Sequence, residues 1–458
     1  PEAGGAPLSA AMEPLVEALA PPADVLDEAQ RAPTPAAALD LLGAAYREDT
    51  SQTAALEAAL RRQDTMAESL AAMERAARPA HFFARETRPL GALLGDRLTL
   101  SPTRVEQYYR CRFSYFLQYV LRIRPRRRAE LSPLESGSLV HYILEHVMRR
   151  AGADFPRLAP EELARLAGEV TDQYVAENMP AAGRRFAYLV ERLKRGVTRL
   201  LAYLQAEQAQ SLFHPAAFEQ EIGTGEGAVP PLTLRTPDGR TVQVQGKIDR
   251  VDVMEREGRT YLRVVDYKTG NKAFNLDEVY CGLNTQMLLY LFTLRSNAAQ
   301  VYKNPVAAGV LYLAGDPVLK TGSRAEAAAA PVYKVDGLVL NDELVVRGMD
   351  RDATGMFVPF AFGKDGAPRA SAKLASLEKL GNIEKHLDAL VVEMARGLYA
   401  GEIDAVPLRT AAHCPCDVCD YRPVCLHEDG RGETSVQAPK DVFETRADAC
   451  KAQGEGNI

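Results

Sequence analysis

The sequence contains no tryptophan and only seven histidines among its 458 residues. No apolar run approaches the ~20 residues that cross a bilayer, and no basic, apolar secretory signal opens the chain. The pattern G-x-x-x-x-G-K-[ST] is missing, so we predict no Walker-type ATP site. These absences favour a cytoplasmic protein without membrane contact. The start at Pro1 rather than Met leads us to expect a piece of a longer chain.

The composition is that of a globular protein, with 47% hydrophobic and 25% charged residues. The length predicts two or three domains. A net charge of −6 argues against a wholly basic nucleic-acid coat but permits a local basic channel. One basic stretch, R-I-R-P-R-R-R, is interpreted equally well as a solvated loop or as a phosphate-contacting patch. It contains Arg122, Arg124, Arg126, Arg127 and Arg128.

Two alternating, β-branched stretches between Gln243 and Gly270 predict a β-hairpin whose turn spans Glu255 to Arg259. Residues two apart in a strand share a face, so Asp266 and Lys268 lie side by side, and Asp249 lies on the partner strand. A solvated hairpin is the alternative. Two acids and a lysine at neighbouring strand positions suit a divalent metal that acts on a phosphate, with the lysine stabilising charge.

Four of the seven cysteines crowd into residues 414–425. Without an export signal, this crowding indicates metal binding rather than disulfides. Cys416, Cys419 and Cys425 form C-x2-C-x5-C, a spacing that wraps one metal centre from a tight turn. A metal centre bound by these three cysteines needs a fourth ligand. The residues alone leave zinc and iron–sulfur open, and they leave Cys414 and His413 as substitute ligands.

The motifs G-K-I-D-R-V-D and V-V-D-Y-K-T-G resemble the RecB-type PD-(D/E)XK nucleases. G-S-L-V-H at Gly137 to His141 and Q-M-L-L-Y at Gln286 to Tyr290 match the same family. With the helix S-P-T-R-V-E-Q-Y-Y-R-C and the cysteine triplet, the chain from Ser101 to Cys425 resembles the nuclease region of the AddB family. The one local departure is Arg112, where proline is usual.

The resemblance implies an α/β fold with a mixed sheet flanked by helices. It implies that His141, Asp249 and Asp266 bind Mg²⁺ or Mn²⁺, and we expect the Tyr267 carbonyl to join them. Lys268 then orients water or stabilises charge, while Gln286 and Tyr290 position the strand or the lysine. Glu221 is an added candidate for the metal, although an exposed strand residue is the simpler interpretation.

The resemblance also implies a 4Fe–4S cluster held by Cys111, Cys416, Cys419 and Cys425. Without the family match, Cys111 is interpreted as a small core residue of a helix that continues to Val120. A centre that joins these cysteines closes a loop of about three hundred residues, which predicts a structural rather than a redox role.

The function implied is a metal-dependent DNA exonuclease within an AddAB-type helicase–nuclease. Such a protein works with an AddA-type partner in double-strand break repair and cuts the single strand that ends 5′. Two alternatives stay open: a stand-alone exonuclease of the CRISPR-adaptation type, and a non-catalytic DNA-binding scaffold. The long helical N-terminus disfavours the first, and the intact His/Asp/Asp/Lys set disfavours the second.

We predict three parts along the chain. Residues 1–95 form a helical segment, the end of an inactive helicase-like domain. Residues 96–432 form the nuclease domain, in which 306–313 is an inner strand, 314–375 is irregular and 377–401 is a long helix. Residues 433–458 form a peripheral tail.

Overall fold

The computed structural model describes most of the chain from residue 34 to residue 444. The described residues are 34–45, 51–77, 91, 93–124, 133–178, 184–268, 273–317, 333–411, 413–425, 427, 432–439 and 442–444. The chain divides into two compact units, residues 1–81 and 82–458. The unit boundary therefore precedes the expected end of the N-terminal segment at residue 95.

The described part of the first unit is helical, as predicted. Its helices are α1 (Pro35–Ala45), α2 (Ser51–Arg61) and α3 (Ala67–Ala77), with a 3₁₀ turn at Asp64–Met66. Leu42, Leu60 and Leu70 are buried together and form its small core.

The second unit contains ten helices within the described residues. They are α4 (Pro102–Arg110), α5 (Arg112–Tyr115), α6 (Pro133–Ala151), α7 (Pro160–Asn178), α8 (Arg184–Gln210), α9 (Leu276–Tyr280), α10 (Gln286–Asn297), α11 (Glu343–Met349), α12 (Leu377–Ala400) and α13 (Arg422–Cys425). A π-helical turn spans Phe116–Val120, and 3₁₀ turns span Gly152–Arg157 and Pro415–Val418. Within the described residues, no helix is long and apolar enough to span a membrane.

In the described part of this unit, the strands form one large sheet and two small ones. They are β1 (Arg97–Leu100), β2 (His214–Ile222), β3 (Leu232–Arg235), β4 (Thr241–Val244), β5 (Gly246–Arg256), β6 (Arg259–Lys268), β7 (Pro305–Pro317), β8 (Tyr333–Leu340), β9 (Leu374–Ala375), β10 (Leu408–Arg409) and β11 (Thr434–Ser435). The six-stranded sheet has the order β2-β5-β6-β7-β8-β9, and β6 runs parallel to β7 while β5 runs antiparallel to β6. The mixed sheet agrees with the predicted fold class, and β7 is the predicted inner strand.

Helices cover both faces of the large sheet. The helix α10 packs on β6 and β7, and α8 packs on β7. Residues 263 and 266 of β6 point to opposite faces because side chains alternate along a strand. Arg263 contacts Glu207 of α8 on one face. On the other face, Tyr312, the β7 partner of Asp266, lies close to Met287 in the first turn of α10.

The predicted hairpin is present, with two differences. Its turn is shorter than the predicted Glu255 to Arg259, because Glu255 and Arg256 belong to β5 and Arg259 belongs to β6. The strands β5 and β6 pair antiparallel, and Glu257 and Gly258 take positive φ angles of 51° and 72° in the two-residue turn. The predicted first strand, however, is divided at Gln245. Residues before it belong to β4, which pairs with β1 and β3 in the three-stranded sheet, and the Gln245 N–H donates to the Leu100 carbonyl at 2.8 Å.

The predicted helix from Ser101 begins as expected and ends early. The Ser101 hydroxyl accepts a hydrogen bond from the Arg104 N–H at 3.3 Å, and Pro102 occupies the first turn. The helix stops at Arg110, because Cys111 is extended, with φ −168° and ψ 116°. The prediction that Cys111 lies inside a continuous helix is therefore wrong.

Two predictions about the C-terminal half need correction. The stretch 314–375, predicted to be irregular, contains β8, α11 and β9, and β8 pairs with β7 in the large sheet. The tail beyond residue 432 is not peripheral where it is described. It adds β11 to β10 and inserts Phe443, which is 1% exposed, into the main core.

Candidate active site

His141 reaches the catalytic hairpin from the middle of α6. Its Nε2 lies 2.9 Å from the Tyr267 carbonyl oxygen, and its Nδ1 lies 3.4 Å from Oδ2 of Asp249. Burial disfavours the charged imidazole, but Asp249 and the Tyr267 carbonyl outweigh it, so the pKa of His141 is raised. The imidazole is thus oriented by the two groups that are predicted to share a metal with it.

Glu219 is the acidic residue that the sequence analysis missed. One ligand atom from each of His141, Glu219 and Asp249 lies within 4.8 Å of the others, the one such group among the described residues. Glu219 has φ +51° on β2, opposite Asp249 between two regular strand pairs. Glu221, the predicted acid on this strand, is exposed. Alternation places Glu219 and Glu221 on one face, so the sequence pattern does not choose between them, and Glu219 enters the site because it lies opposite Asp249.

Asp266 and Lys268 form an ion pair beside this group. The Lys268 Nζ lies 2.7 Å from Oδ2 and 2.9 Å from Oδ1 of Asp266, and the Asp266 residue is 3% exposed. The two share a face of β6, as alternation predicts. The Asp266 charge contributes to the raised pKa of His141, which places it in the same electrostatic neighbourhood. Its carboxylate, however, is outside the compact group of three potential ligands.

Tyr290 and Gln286 approach the hairpin from α10. Burial raises the pKa of Tyr290 to about 12, and its hydroxyl has partners in the Lys247 backbone and the Gln286 side chain. Tyr290 is therefore a neutral hydrogen-bonding group at pH 7. Gly246, the first residue of β5, lies so close that an added Cβ would meet the Tyr290 ring. The predicted Q-x-x-x-Y pair thus lies against the strand that carries Asp249.

The residues around His141 suit a hard divalent cation. Mg²⁺ and Mn²⁺ prefer carboxylate and carbonyl oxygens, and one imidazole is compatible with such a site. Glu219, Asp249 and the Tyr267 carbonyl would supply the oxygens. Lys247 competes for one of them, because its Nζ lies 2.7 Å from Oε2 of Glu219.

Four cysteines surround a second site, a cavity of about 270 Å³. Cys111 contributes from the break after α4, and Cys416, Cys419 and Cys425 contribute from the C-terminal segment. His413 also lines the cavity, whereas Cys414 does not; its sulfur faces Oε1 of Glu433 at 3.8 Å. Burial and the neighbouring thiols Cys419 and Cys425 raise the pKa of Cys111 to about 11. A bound metal centre would stabilise these crowded thiols, because they lose their protons and bind the positive metal as thiolates.

Protein contacts hold the two cysteine segments together. The Phe113 N–H donates to the Asp404 carbonyl at 3.2 Å, and the Tyr421 hydroxyl donates to the Ile123 carbonyl at 2.7 Å. Phe113, Leu117 and Tyr421 form a separate small core beside the thiols.

The basic stretch is only partly described. Arg122 and Arg124 are exposed, and Arg122 takes a φ of +58°. Arg126, Arg127 and Arg128 lie outside the described residues. The phosphate-contacting role of these five arginines stays a prediction.

A comparison with protein-family models decides the family. Residues 99–426, well over half of the chain, match the model of the PD-(D/E)XK nuclease superfamily. The chain belongs to the PD-(D/E)XK nuclease superfamily. This membership confirms the predicted fold class.

Curated relatives in this superfamily confirm the resemblance to AddB. Three of them are named as the B-type subunit of an ATP-dependent helicase/deoxyribonuclease. The protein of Clostridium acetobutylicum is 32% identical over 76% of this chain and 32% of its own length. The protein of Acetivibrio thermocellus is 30% identical over 80% of this chain and 33% of its own length. The protein of Desulforudis audaxviator is 33% identical over 73% of this chain and 30% of its own length. The chain thus spans about a third of the length of the curated relatives it matches.

Proposed function

We propose that this PD-(D/E)XK chain is the nuclease part of a helicase–nuclease subunit and hydrolyses DNA phosphodiesters with Mg²⁺ or Mn²⁺. One observation carries the proposal: potential ligand atoms of His141 on α6, Glu219 on β2 and Asp249 on β5 converge within 4.8 Å, and the Asp266–Lys268 ion pair lies on the neighbouring strand β6. A set of oxygens and one imidazole beside an ammonium group suits phosphate hydrolysis better than a scaffold, which needs none of them.

The side chains divide the chemistry between them. His141, Glu219, Asp249 and the Tyr267 carbonyl would hold the ion, and Asp266, which is paired with Lys268, is the further predicted ligand. A bound ion supplies Lewis acidity and lowers the pKa of water. The Lys268 ammonium stabilises negative charge that develops on the phosphate. Tyr290, neutral and hydrogen-bonded to Gln286, fixes the edge of the site next to Gly246.

The same proposal extends to partner and substrate. By the likeness to these B-type subunits, the chain works with an AddA-type helicase–nuclease subunit in double-strand break repair and cuts the single strand that ends 5′. Co-purification with an ATP-dependent helicase subunit would support this arrangement. A chain that degrades DNA fully by itself and binds no such partner would favour the stand-alone exonuclease.

The test of activity compares two acid-to-alanine variants. Asp266→Ala should abolish Mg²⁺- or Mn²⁺-dependent cleavage of labelled single strands while DNA binding persists. Asp277→Ala removes an exposed acid on α9 and should cleave like the wild type. If Asp266→Ala cuts as fast as the wild type, the site assignment fails. If the wild type binds DNA but never cuts it, the scaffold interpretation replaces the nuclease.

For the cysteine site we propose a structural 4Fe–4S cluster bound by Cys111, Cys416, Cys419 and Cys425. A zinc ion holds its thiolates at ~2.3 Å, which brings the sulfurs close to one another. Among the described residues, no three cysteine sulfurs lie within 4.8 Å of one another, and the cavity of about 270 Å³ suits a larger centre.

The cluster proposal is tested by an anaerobic preparation. Iron content and visible absorbance should be present in the wild type and in Cys414→Ser, because the Cys414 thiol, which contacts Glu433 and Cys416, does not line the cavity. Both signals should be lost in Cys419→Ser. Zinc without iron in the wild type would overturn the assignment.

A further inference from the structure

Glu106 joins α4, the helix that ends just before Cys111, to α10, the helix that begins at Gln286. It lies on α4, five residues before Cys111, and is 7% exposed. Its Oε1 accepts a hydrogen bond from the Gln286 backbone N–H at 3.0 Å, across 180 positions of sequence. Neither the catalytic chemistry nor the cysteine site, as described above, uses this buried carboxylate.

The start of α10 needs such an acceptor. The first N–H groups of a helix have no partner within it, and a negative charge there interacts well with the helix dipole. Thr285, the N-cap residue, makes no capping hydrogen bond with its side chain, and α10 has no acid in its first turn. Glu106 therefore takes over the capping role from another element.

A second contact at the same turn leads to the catalytic strands. The hydroxyl of Tyr312 lies close to the Met287 backbone, and Tyr312 lies opposite Asp266 in the β6–β7 register. The Glu106 and Asp266 charges both act on Tyr312, whose pKa burial raises well above its usual value. The first turn of α10 is thus fixed from α4 on one side and from the central sheet on the other.

The position of this turn matters because it carries Gln286 and, one turn later, Tyr290. The Tyr290 hydroxyl reaches the Lys247 backbone beside Asp249. At the other end, α4 is anchored by the Tyr109 hydroxyl, which donates to the Leu390 carbonyl at 2.7 Å. A displacement of α4 at Cys111 would therefore displace Glu106, and then the first turn of α10 at the edge of the nuclease site.

We propose that Glu106 is a positioning residue through which the cysteine-bound centre supports the nuclease site. The centre fixes Cys111 and the end of α4, and Glu106 passes this constraint to Gln286 and Tyr290. The inference rests on the proposed function for its catalytic consequence. Its structural part, the coupling of the two sites, is measurable without any cleavage.

The first measurement is hydrogen exchange on the full 458-residue chain. In Glu106→Ala, amides of residues 286–290 should exchange at least about tenfold faster, because the Gln286 N–H loses its acceptor. Glu106→Gln keeps an acceptor oxygen of the same shape and should stay near the wild type. Thr103→Ala changes an exposed residue of the same helix and serves as the control.

The second measurement combines Glu106 with the cysteine site. Cys419→Ser should speed exchange at residues 286–290 in the wild-type background and add little in Glu106→Ala, since a transmitted effect is not additive. Equal acceleration in both backgrounds would overturn the coupling. Unchanged exchange in Glu106→Ala would overturn the positioning role.

The kinetic readout separates positioning from folding. Glu106→Ala should lower kcat about tenfold or more with KM for DNA nearly unchanged, and Glu106→Gln should restore most of the rate. If Glu106→Ala does not fold, Glu106→Gln and Glu106→Leu replace it. The positioning role then predicts wild-type amide protection and cleavage rate in Glu106→Gln and a loss of both in Glu106→Leu. A wild type without nuclease activity would refute the proposed function, whereas the exchange results would still decide the coupling.

Discussion

Arg250 donates a hydrogen bond from Nη1 to the Tyr267 hydroxyl at 3.0 Å, while the backbone carbonyl of the same tyrosine contacts His141. The two catalytic strands are thus tied together behind the site. Glu207, Asp252 and Arg263 complete a buried cluster with two positive and two negative charges. Burial opposes ionisation of Asp252, yet the two arginines outweigh it and lower its pKa.

We predict that Arg250→Met strongly destabilises the protein. The change leaves a net negative charge buried among Glu207, Asp252 and Arg263, and breaking a buried pair from one side costs about 3–5 kcal/mol. Tyr267→Phe keeps the ring but removes one partner of Arg250, at about 1–3 kcal/mol. Urea unfolding followed by circular dichroism measures both. An Arg250→Met protein as stable as the wild type would contradict the role of the cluster.

A second prediction concerns Glu219 and its neighbour Lys247. If Glu219 is a metal ligand, Glu219→Gln should raise the half-saturating Mn²⁺ concentration about tenfold or more. Lys247→Met should lower it about two- to fivefold, because a competing cation near the ion costs on the order of 1 kcal/mol in water. Mn²⁺ titration by calorimetry measures both directions. Glu221→Gln on the same strand is the matched control, and shifts of equal sign in the first two variants would argue against ligation.

The sequence is sufficient for the hairpin and insufficient for Glu219. Alternation and the two-residue turn are local signals, so the facing positions of Asp249, Asp266 and Lys268 follow from them. Alternation places Glu219 and Glu221 on one face and does not choose between them. Glu219 is identified only by the pairing of β2 with β5, in which it lies opposite Asp249. The register of two strands that are distant in the sequence decides the choice, and the pattern of one strand alone does not carry that register.

Contacts between residues that are distant in the sequence also differ in whether the sequence predicts them. The C-x2-C-x5-C triplet is visible from its spacing, but Cys111 enters only through the family resemblance, because about three hundred residues separate it from its partners. The cap that Glu106 gives to Gln286 has no signal in the sequence. The prediction for the tail is wrong for a related reason: Phe443 lies in a polar segment whose packing is decided by α9 and α12.

A third prediction uses the close approach of Gly246 to Tyr290. In Gly246→Ala the new Cβ would collide with the Tyr290 ring, so the ring must move away from the Lys247 backbone. We expect a loss of about 1–3 kcal/mol in stability from overpacking, together with a lower kcat. Gly168→Ala on α7 adds the same atom to open space. It should leave cleavage unchanged and stabilise the helix by about 0.5–1 kcal/mol. If Gly246→Ala cleaved DNA at the wild-type rate, Tyr290 would have no role in the nuclease site.

The last prediction concerns the pH dependence of stability and the Asp388 carboxyl on α12. Burial first, and then the Glu384 charge, raise the pKa of Asp388 to about 6, although Arg295 acts in the opposite direction. The folded protein therefore binds this proton more tightly than the unfolded chain, whose aspartates titrate near ~3.9. The unfolding free energy falls as pH rises from about 4 to about 6, and the loss persists above that range.

Asp388→Asn removes this titration and should stabilise the protein at pH 7.5 by about 1 kcal/mol, since partial exposure reduces the full effect. The difference from the wild type should nearly vanish at about pH 3, where the carboxyl is largely protonated in both the folded and the unfolded state. Denaturant unfolding at several pH values measures this, with the exposed Asp352→Asn as the control. A stabilisation that is the same at every pH would show that the gain comes from packing of the amide and not from the charge of Asp388.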